Sequence, residues 1–455
     1  MYSDIICGPK DSDHWKERII VNCVQNPGQI RDLAKAIKSK KLSPSELVQN
    51  YLDRIEEVQP LAAPWREVNA EGAIAMAEIR TSQAKRGEIL GPLHGIPFAV
   101  KDIIDVQGLP SRCNSKALQD RPPATADAEI VLALKAMGAI PLGKAHTTEF
   151  AFFDPSPARN PHNTSHTPGG SSSGSAAAVA SGTVPCALGT QTLASLNRPA
   201  TYCGIAGFKP STRSISSFGV AALAPSFDTV GFYGWSIDDV IYTFEALCLY
   251  SSASTGAPID LNTETTVVII DDPLISDCEA DMWKVFNSEL ERFKTLGCNI
   301  EWKDSPIPFT QLATLHWTTM IYEAARALCW LSEYPETLIG SRLRNVLAEG
   351  SEITTENYLS ARSEINNLRK IFFDTFDNSD VFYWPATPRP APKGLESTGE
   401  PKYIAPWTTL GGPILTLTTN KTSNDLPLGC LLSGHPGSDR STGAFARALC
   451  PTSSE

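Results

Sequence analysis

The chain has 455 residues, 42% hydrophobic and 20% charged, which is ordinary globular composition with ample apolar material for a large core. A formal net charge of -11, with no run of Lys or Arg, argues against a nucleic-acid or anionic-membrane partner. No apolar stretch reaches the roughly 18 residues a membrane span needs. The first ten residues, MYSDIICGPK, lack the charged start and apolar core of a secretion signal. The eleven cysteines are odd in number and never in C-x-x-C spacing, which predicts free thiols in a reducing compartment. The expected location is cytoplasmic, with no zinc site.

Residues 30–58 predict two helices. Ser43-Pro44-Ser45-Glu46 is a helix start, with a capping hydroxyl, a proline in the first turn and a glutamate at the third position. Leu47, Tyr51 and Ile55 then recur at helical spacing, and Val48 and Leu52 widen the stripe, so this face is expected to pack on the protein body. From about residue 90 short apolar runs alternate with helical stretches. Residues 96–100, 139–142, 184–188, 267–270, 414–418 and 428–432 read as strands. Residues 127–137, closed by Gly138, and 277–296, stopped by Gly297, read as helices, as do stretches near 319–333 and 354–376. This alternation predicts an α/β class, an α/β/α layered fold with a large mixed sheet covered by helices on both faces. Length alone suggests about three domains. There is no linker or internal repeat, however, and the Pro-rich 385–392 reads as a loop excursion. The expectation is one domain over 1–455: an N-terminal helical segment (28–85), a catalytic core (90–240) and a C-terminal substrate-shaping part (260–450).

Residues 168–182 read PGGSSSGSAAAVASG. Flexible linkers have such composition. Here the tract runs straight into the good helix formers 176–180, with strand-like sequence on both sides. A Gly-rich turn opening a helix instead presents backbone N–H groups and the positive end of a dipole. A phosphate loop would continue with Gly-Lys-Ser/Thr, and none follows.

The string GGSSSGSAAA from Gly169, followed by GTQTLASLNRPA from Gly189, resembles the signature region of the amidase signature family. GPLHGIPFAVKD from Gly91 resembles the upstream motif that supplies the family's lysine. GAIPLGK from Gly138, Glu149-Phe150, GIAGFKP from Gly204, APSFDTVG from Ala224, WPATP from Trp384 and LPLG from Leu426 follow in the right order. The resemblance spans roughly 30–450.

It implies a serine hydrolase in which Ser195 attacks, Lys101 is the ultimate base and Ser171, after a cis Gly170–Ser171 bond, bridges the two. The backbone N–H groups of Thr192, Leu193, Ala194 and Ser195 are implied to form an oxyanion hole, with Gly170 and Ser172 beside the substrate. No cofactor or metal is implied. An amide carbonyl is a poor electrophile, so an activated nucleophile and a place for negative charge are both needed. A lysine is protonated below its ordinary pKa of about 10.4, so it serves as base only where burial disfavours the ammonium. The apolar residues 96–100 before Lys101 suit a buried strand end, whereas Asp102 and Asp105 would oppose the shift if they faced the amine. Two departures stand out: Leu193-Ala194 replaces the family's Gly-Gly or Ala-Gly, and Asn197 occupies a position more often apolar or basic. Ala194 must then adopt a backbone conformation open to side chains, or it displaces a donor.

Ser172, Ser173 and Ser175 are expected to cap the following helix and hold the loop, and Asp228 to brace the signature loop. His94, His146, His162 and His166 raise a Ser-His-Asp alternative, but no nucleophile elbow supports it: Gly170–Gly174 fits Gly-x-Ser-x-Gly by letter, with no strand leading in. Pro161 and Pro168 bracket His162 and His166, which argues against a helical metal pair. The expected reaction is hydrolysis of a small-molecule carboxylic amide through an acyl-serine. Ester hydrolysis or acyl transfer from the same intermediate is the alternative. A silent small-molecule-binding relative is a third reading, opposed by the intact Lys101, Ser171 and Ser195. Glutaminyl-type amidotransferase subunits share the signature and need partner subunits, but no residue assigns this chain to them. A homodimer is left open.

Overall fold

The computed structural model describes residues 23–250, 265–422 and 425–450, so the reading of the first ten residues lies outside the described set. Two helices open the described chain, α1 (Ile30–Lys38) and α2 (Pro44–Ala62). The Ser43 hydroxyl accepts from the Glu46 N–H at 3.1 Å, and Leu47, Val48, Tyr51, Leu52 and Ile55 are all buried, as their spacing predicts. An edge strand β1 (Trp65–Val68), which is not predicted, and α3 (Ala70–Arg86), which falls in the expected helical segment 28–85 though outside the two helices read at 30–58, follow. The buried residues of α3 are only alanines, Ala73, Ala77 and Ala84, so it carries no stripe of large apolar residues to be read.

The central part runs β2 (Pro97–Lys101), α4 (Glu129–Ala136), β3 (Ile140–Ala145), α5 (Ser173–Ala180), β4 (Cys186–Gln191), α6 (Asn197–Cys203), β5 (Ala206–Lys209), β6 (Thr229–Gly234) and α7 (Ile237–Tyr250). The remainder runs β7 (Thr266–Asp271), α8 (Ala280–Thr295), β8 (Asn299–Asp304), α9 (Phe309–Ala327), α10 (Ser341–Glu352), α11 (Thr355–Asp374), β9 (Val381–Pro385), α12 (Ala405–Leu410), β10 (Ile414–Lys421), β11 (Pro427–Ser433) and α13 (Asp439–Leu449). The helix expected at 319–333 starts ten residues earlier, at Phe309, and passes into a short 3-10 turn at Cys329–Glu333. The one expected at 354–376 is α11. Residues after β9 form the predicted loop excursion.

All eleven strands form one mixed sheet in the order β1-β3-β2-β4-β6-β5-β10-β11-β9-β7-β8. The fold is α/β. Strands β2 to β6 are buried at every position, which requires cover on both faces of the sheet. β2 lies parallel to both β3 and β4, with Val100 level with Lys144 and Leu188. The C-terminal ends of β2 and β4 therefore lie side by side, and in open α/β sheets such ends are where ligands bind.

Helix α5 begins at this same end of the sheet. A side chain at Gly174 has no room there: a Cβ would sit 2.2 Å from the Pro64 carbonyl oxygen and 2.3 Å from the His146 nitrogen, atoms that themselves hydrogen-bond at 3.0 Å. Gly174→Ala is expected to cost about 1–3 kcal/mol of stability in urea unfolding, because backbone on both sides must shift.

Candidate active site

Lys101, the last residue of β2, is fully buried. Its Nζ donates to Ser171 Oγ and to Thr190 Oγ1, both at 2.7 Å. Burial lowers its pKa to about 7, against upward pulls from Asp228 and Cys113. The adjacent Asp102 is not the opposing charge: it pairs with the equally buried Lys144, Nζ to Oδ1 3.2 Å, and accepts from the Arg112 N–H. Burial still pushes Asp102 upward despite that partner. Lys144 also donates to Ser111 Oγ at 2.7 Å. Two buried lysines thus stand on neighbouring strands, one holding a carboxylate and the other only hydroxyls.

The Gly170–Ser171 peptide bond is cis. A Cβ on Gly170 would lie 2.7 Å from Thr398 Cγ2 and 3.0 Å from Thr148 Cγ2, so glycine is the residue that fits. The serines after Ser171 do not cap α5, contrary to expectation, but they do hold the loop. Ser172 Oγ donates to the Thr190 carbonyl and accepts from the Thr190 N–H, Ser173 Oγ shares a hydrogen with Ser156, and Ser175 Oγ donates to the Leu188 carbonyl. These hydroxyls tie the start of α5 to β4 and, through Ser156, to the segment before it, rather than to its own orphan N–H groups.

Ser195 follows β4 and is buried; its carbonyl accepts from the Ser172 N–H and the Tyr233 hydroxyl. Among the described residues its own hydroxyl makes no hydrogen bond, and Ser195 lines a tight inner pocket. Phe152, Phe153, Leu193, Ala194, Arg198, Leu223 and Met320 line the same space. Leu193 therefore narrows this cavity with an apolar wall. Neither Leu193 nor Ala194 takes a positive φ, which is why side chains are accepted where glycine is usual in the family. Among the described residues the backbone N–H groups from Thr192 to Ser195 find no acceptor.

A buried amide network holds that loop. Gln191 Oε1 accepts the N–H groups of Leu196 and Asn197 at 2.9 and 3.0 Å, and its Nε2 donates to Asn197 Oδ1 and Thr408 Oγ1. Thr408 donates to the Leu193 carbonyl, and Asn197 Nδ2 to Ile414 O and Thr416 Oγ1. Asn197 is therefore a satisfied partner in this network. Asp228 braces the loop as expected, accepting from Thr192 Oγ1 and from the N–H groups of Leu223 and Ala224.

Among the described residues no histidine hydrogen-bonds the Ser195 hydroxyl. His94 bonds the Leu90 N–H and the Arg80 carbonyl, His162 the Cys203 carbonyl, and His166 Ser165. Burial pulls His146 down to about 4. Among the described residues no His, Cys, Asp and Glu side chains gather as a metal site, and no helix is long and apolar enough to cross a membrane. Thr190, Gln191, Arg198 and Thr408 were not singled out from the sequence. The first three stand inside the quoted signature string, where adjacency to Ser195 was the available signal; Thr408 arrives from 213 residues away (408 − 195) and gave none.

The family model described as Amidase matches residues 46–442. The chain belongs to the amidase family, the amidase-signature enzymes that act on C–N bonds. It is 30% identical to the glutamyl-tRNA(Gln) amidotransferase A-subunit of Geobacter metallireducens (strain ATCC 53774 / DSM 7210 / GS-15), covering 90% of this chain and 93% of that one. The corresponding amidotransferase protein from Anaeromyxobacter sp. (strain K) is 29% identical over 92% and 95%. Among solved structures, an amidase superposes with TM-score 0.84 at 28% identity, covering 93% of this chain and 99% of that one. The native peptide amidase from Stenotrophomonas maltophilia shares the fold, with TM-score 0.78 at 24% identity over 92% and 96%.

Removing the cation of the Asp102–Lys144 pair leaves a buried carboxylate alone. Lys144→Met is expected to cost about 3–5 kcal/mol in chemical denaturation. The double variant Asp102→Asn/Lys144→Met should recover much of that loss.

Proposed function

We propose that this amidase-family enzyme hydrolyses a small-molecule carboxylic amide through an acyl intermediate on Ser195. The observation that carries the reading is a fully buried lysine whose amine, brought down to about 7, is hydrogen-bonded at 2.7 Å to a serine hydroxyl in the signature loop. A neutral amine at Lys101 takes a proton from Ser171 Oγ as Ser171 takes one from Ser195 Oγ, and Ser195 attacks the carbonyl carbon. The Ser171–Ser195 hydrogen bond is the element this reading adds, closing as substrate enters; catalytic hydrogen bonds commonly tighten only in the bound complex. Negative charge on the former carbonyl oxygen is met by the N–H groups between Thr192 and Ser195, each such donor being worth roughly 2.7–4 kcal/mol of barrier. Gly170 precedes Ser171 in the signature loop, and Ser172 ties that loop to β4. The proton returns through Ser171 to the leaving nitrogen, the C–N bond breaks, and water then cleaves the acyl-serine by the same route. The chemistry uses no cofactor or metal.

The named relatives support a second reading, in which the ammonia released at Ser195 is used by a partner protein. The isolated chain decides between them: ready turnover of free amides alone favours simple hydrolysis, whereas turnover that needs an added partner favours the second. Amine acceptors test the acyl-transfer branch, which gains if new amides form at the expense of acid.

A fluorophosphonate probe is expected to label Ser195, and Ser195→Ala to abolish labelling; an unlabelled, folded wild type overturns the proposal. The working form of Lys101 is the neutral amine. kcat/KM should therefore rise with pH through about 7 and be lost below it as the amine takes up a proton. Lys101→Ala should be inactive across that range, and near-normal rates would remove Lys101 from its role.

A further inference from the structure

Thr408, in α12, is a fully buried residue whose hydroxyl reaches the nucleophile loop from the C-terminal part of the chain. A threonine within a helix commonly turns its hydroxyl back to the carbonyl four residues earlier. The neighbouring Thr409 does so, with Oγ1 donating to the Ala405 carbonyl at 2.8 Å. Thr408 does not: its Oγ1 stands 3.4 Å from the Ile404 carbonyl and 2.6 Å from the Leu193 carbonyl. A hydroxyl has one hydrogen to give, and the shorter contact takes it. Gln191 Nε2 donates into the same oxygen at 2.9 Å, and the amide is held the right way round because Oε1 accepts the N–H groups of Leu196 and Asn197. Gln191, Thr408 and the Leu193 carbonyl thus form a chain of hydrogen bonds running in one direction, in which each bond polarises the next.

The Leu193 carbonyl belongs to the Leu193–Ala194 peptide. That peptide is trans and planar, so its C=O and N–H point opposite ways, and fixing the carbonyl fixes the direction of the Ala194 N–H. Among the described residues the carbonyl accepts no bond but the one from Thr408, and the N–H has no acceptor. Ala194 is nevertheless buried, and it lines the pocket beside Ser195. A buried N–H left without a partner is rare in a folded chain. We propose that Thr408 is a positioning residue for acylation: its hydroxyl, held by Gln191, aims the Ala194 N–H at the substrate oxygen on which negative charge develops. This rests on the reading of Ser195 as the acylated nucleophile.

Thr408→Val keeps the shape of the side chain and removes the hydroxyl, whereas Thr408→Ser keeps the hydroxyl. The readout is the rate at which a fluorophosphonate labels Ser195 as a function of pH, because the phosphoryl oxygen stands where the carbonyl oxygen would. Thr408→Val should label at least about tenfold more slowly at the high-pH plateau, within the 10²–10³ that a lost oxyanion donor costs. The rise through about 7 should stay in place, since Lys101 keeps its hydroxyl partners. Thr408→Ser should recover most of the rate. A general loosening of the loop would disturb the approach to Lys101 and move the profile along the pH axis; a misaimed donor lowers the plateau alone. A folded Thr408→Val protein that labels as fast as the wild type, or whose profile moves, overturns the proposal. The crystal structure of the wild-type adduct is a second test that needs no variant. It should show the phosphoryl oxygen accepting from the Ala194 N–H while Thr408 still holds the Leu193 carbonyl, and the absence of either bond overturns the proposal. A folded wild type that the probe does not label overturns the acylation reading instead.

Discussion

Lys101 gives up its hydration at the end of β2 and receives in return two neutral hydroxyls, from Ser171 and Thr190. An ammonium in that position is disfavoured, and the amine falls to about 7. The nearest carboxylate in sequence, Asp102, must be kept from undoing this. Lys144, on the adjacent strand, takes it. The pairing of one buried lysine with a carboxylate thus leaves the other with hydroxyls alone, and Asp228, tied down by Thr192, Leu223 and Ala224, is the carboxylate that opposes its downward shift.

The sheet topology delivers these groups to one place. Parallel β3, β2 and β4 end at the same edge, so Lys144, Lys101 and Thr190 arrive together. The hydroxyls of Ser172 and Ser175 bind the start of α5 to β4, which sets Ser171 against Lys101. After β4 the Gln191–Asn197–Thr408 network shapes the loop that carries Ser195. The backbone between Thr192 and Ser195 keeps ordinary φ values, so Leu193 and Ala194 are tolerated and Leu193 becomes a pocket wall. Their departure from the family pattern changes the shape of the inner cavity without spending the loop's backbone N–H groups elsewhere.

Legibility followed local physics. The Ser43 cap and the stripe of α2 were readable because cap and stripe are set within one helix. Gly138 and Gly297 closed the helices they were expected to close, both at positive φ. α3 carries no readable stripe because its fully buried residues are alanines, and β1 is too short, at four residues, to carry a pattern. The serines of the signature tract hold their loop as their composition suggests but do not cap the helix: the hydroxyls of Ser172 and Ser175 answer to a strand whose proximity no local pattern announces. Asp102 looked like an opponent of Lys101 for the same reason.

What the chain determines by itself is its order of motifs, and with it the family, the α/β class and the candidacy of Lys101, Ser171 and Ser195, because those strings keep their identity and spacing along the backbone. Which buried lysine keeps a carboxylate and which has its pKa lowered among neutral hydroxyls are decided only in three dimensions. Charge in a protein interior is governed by what lies within a few ångströms, and for Lys144, Lys101 and Arg198 several of those neighbours come from distant parts of the chain.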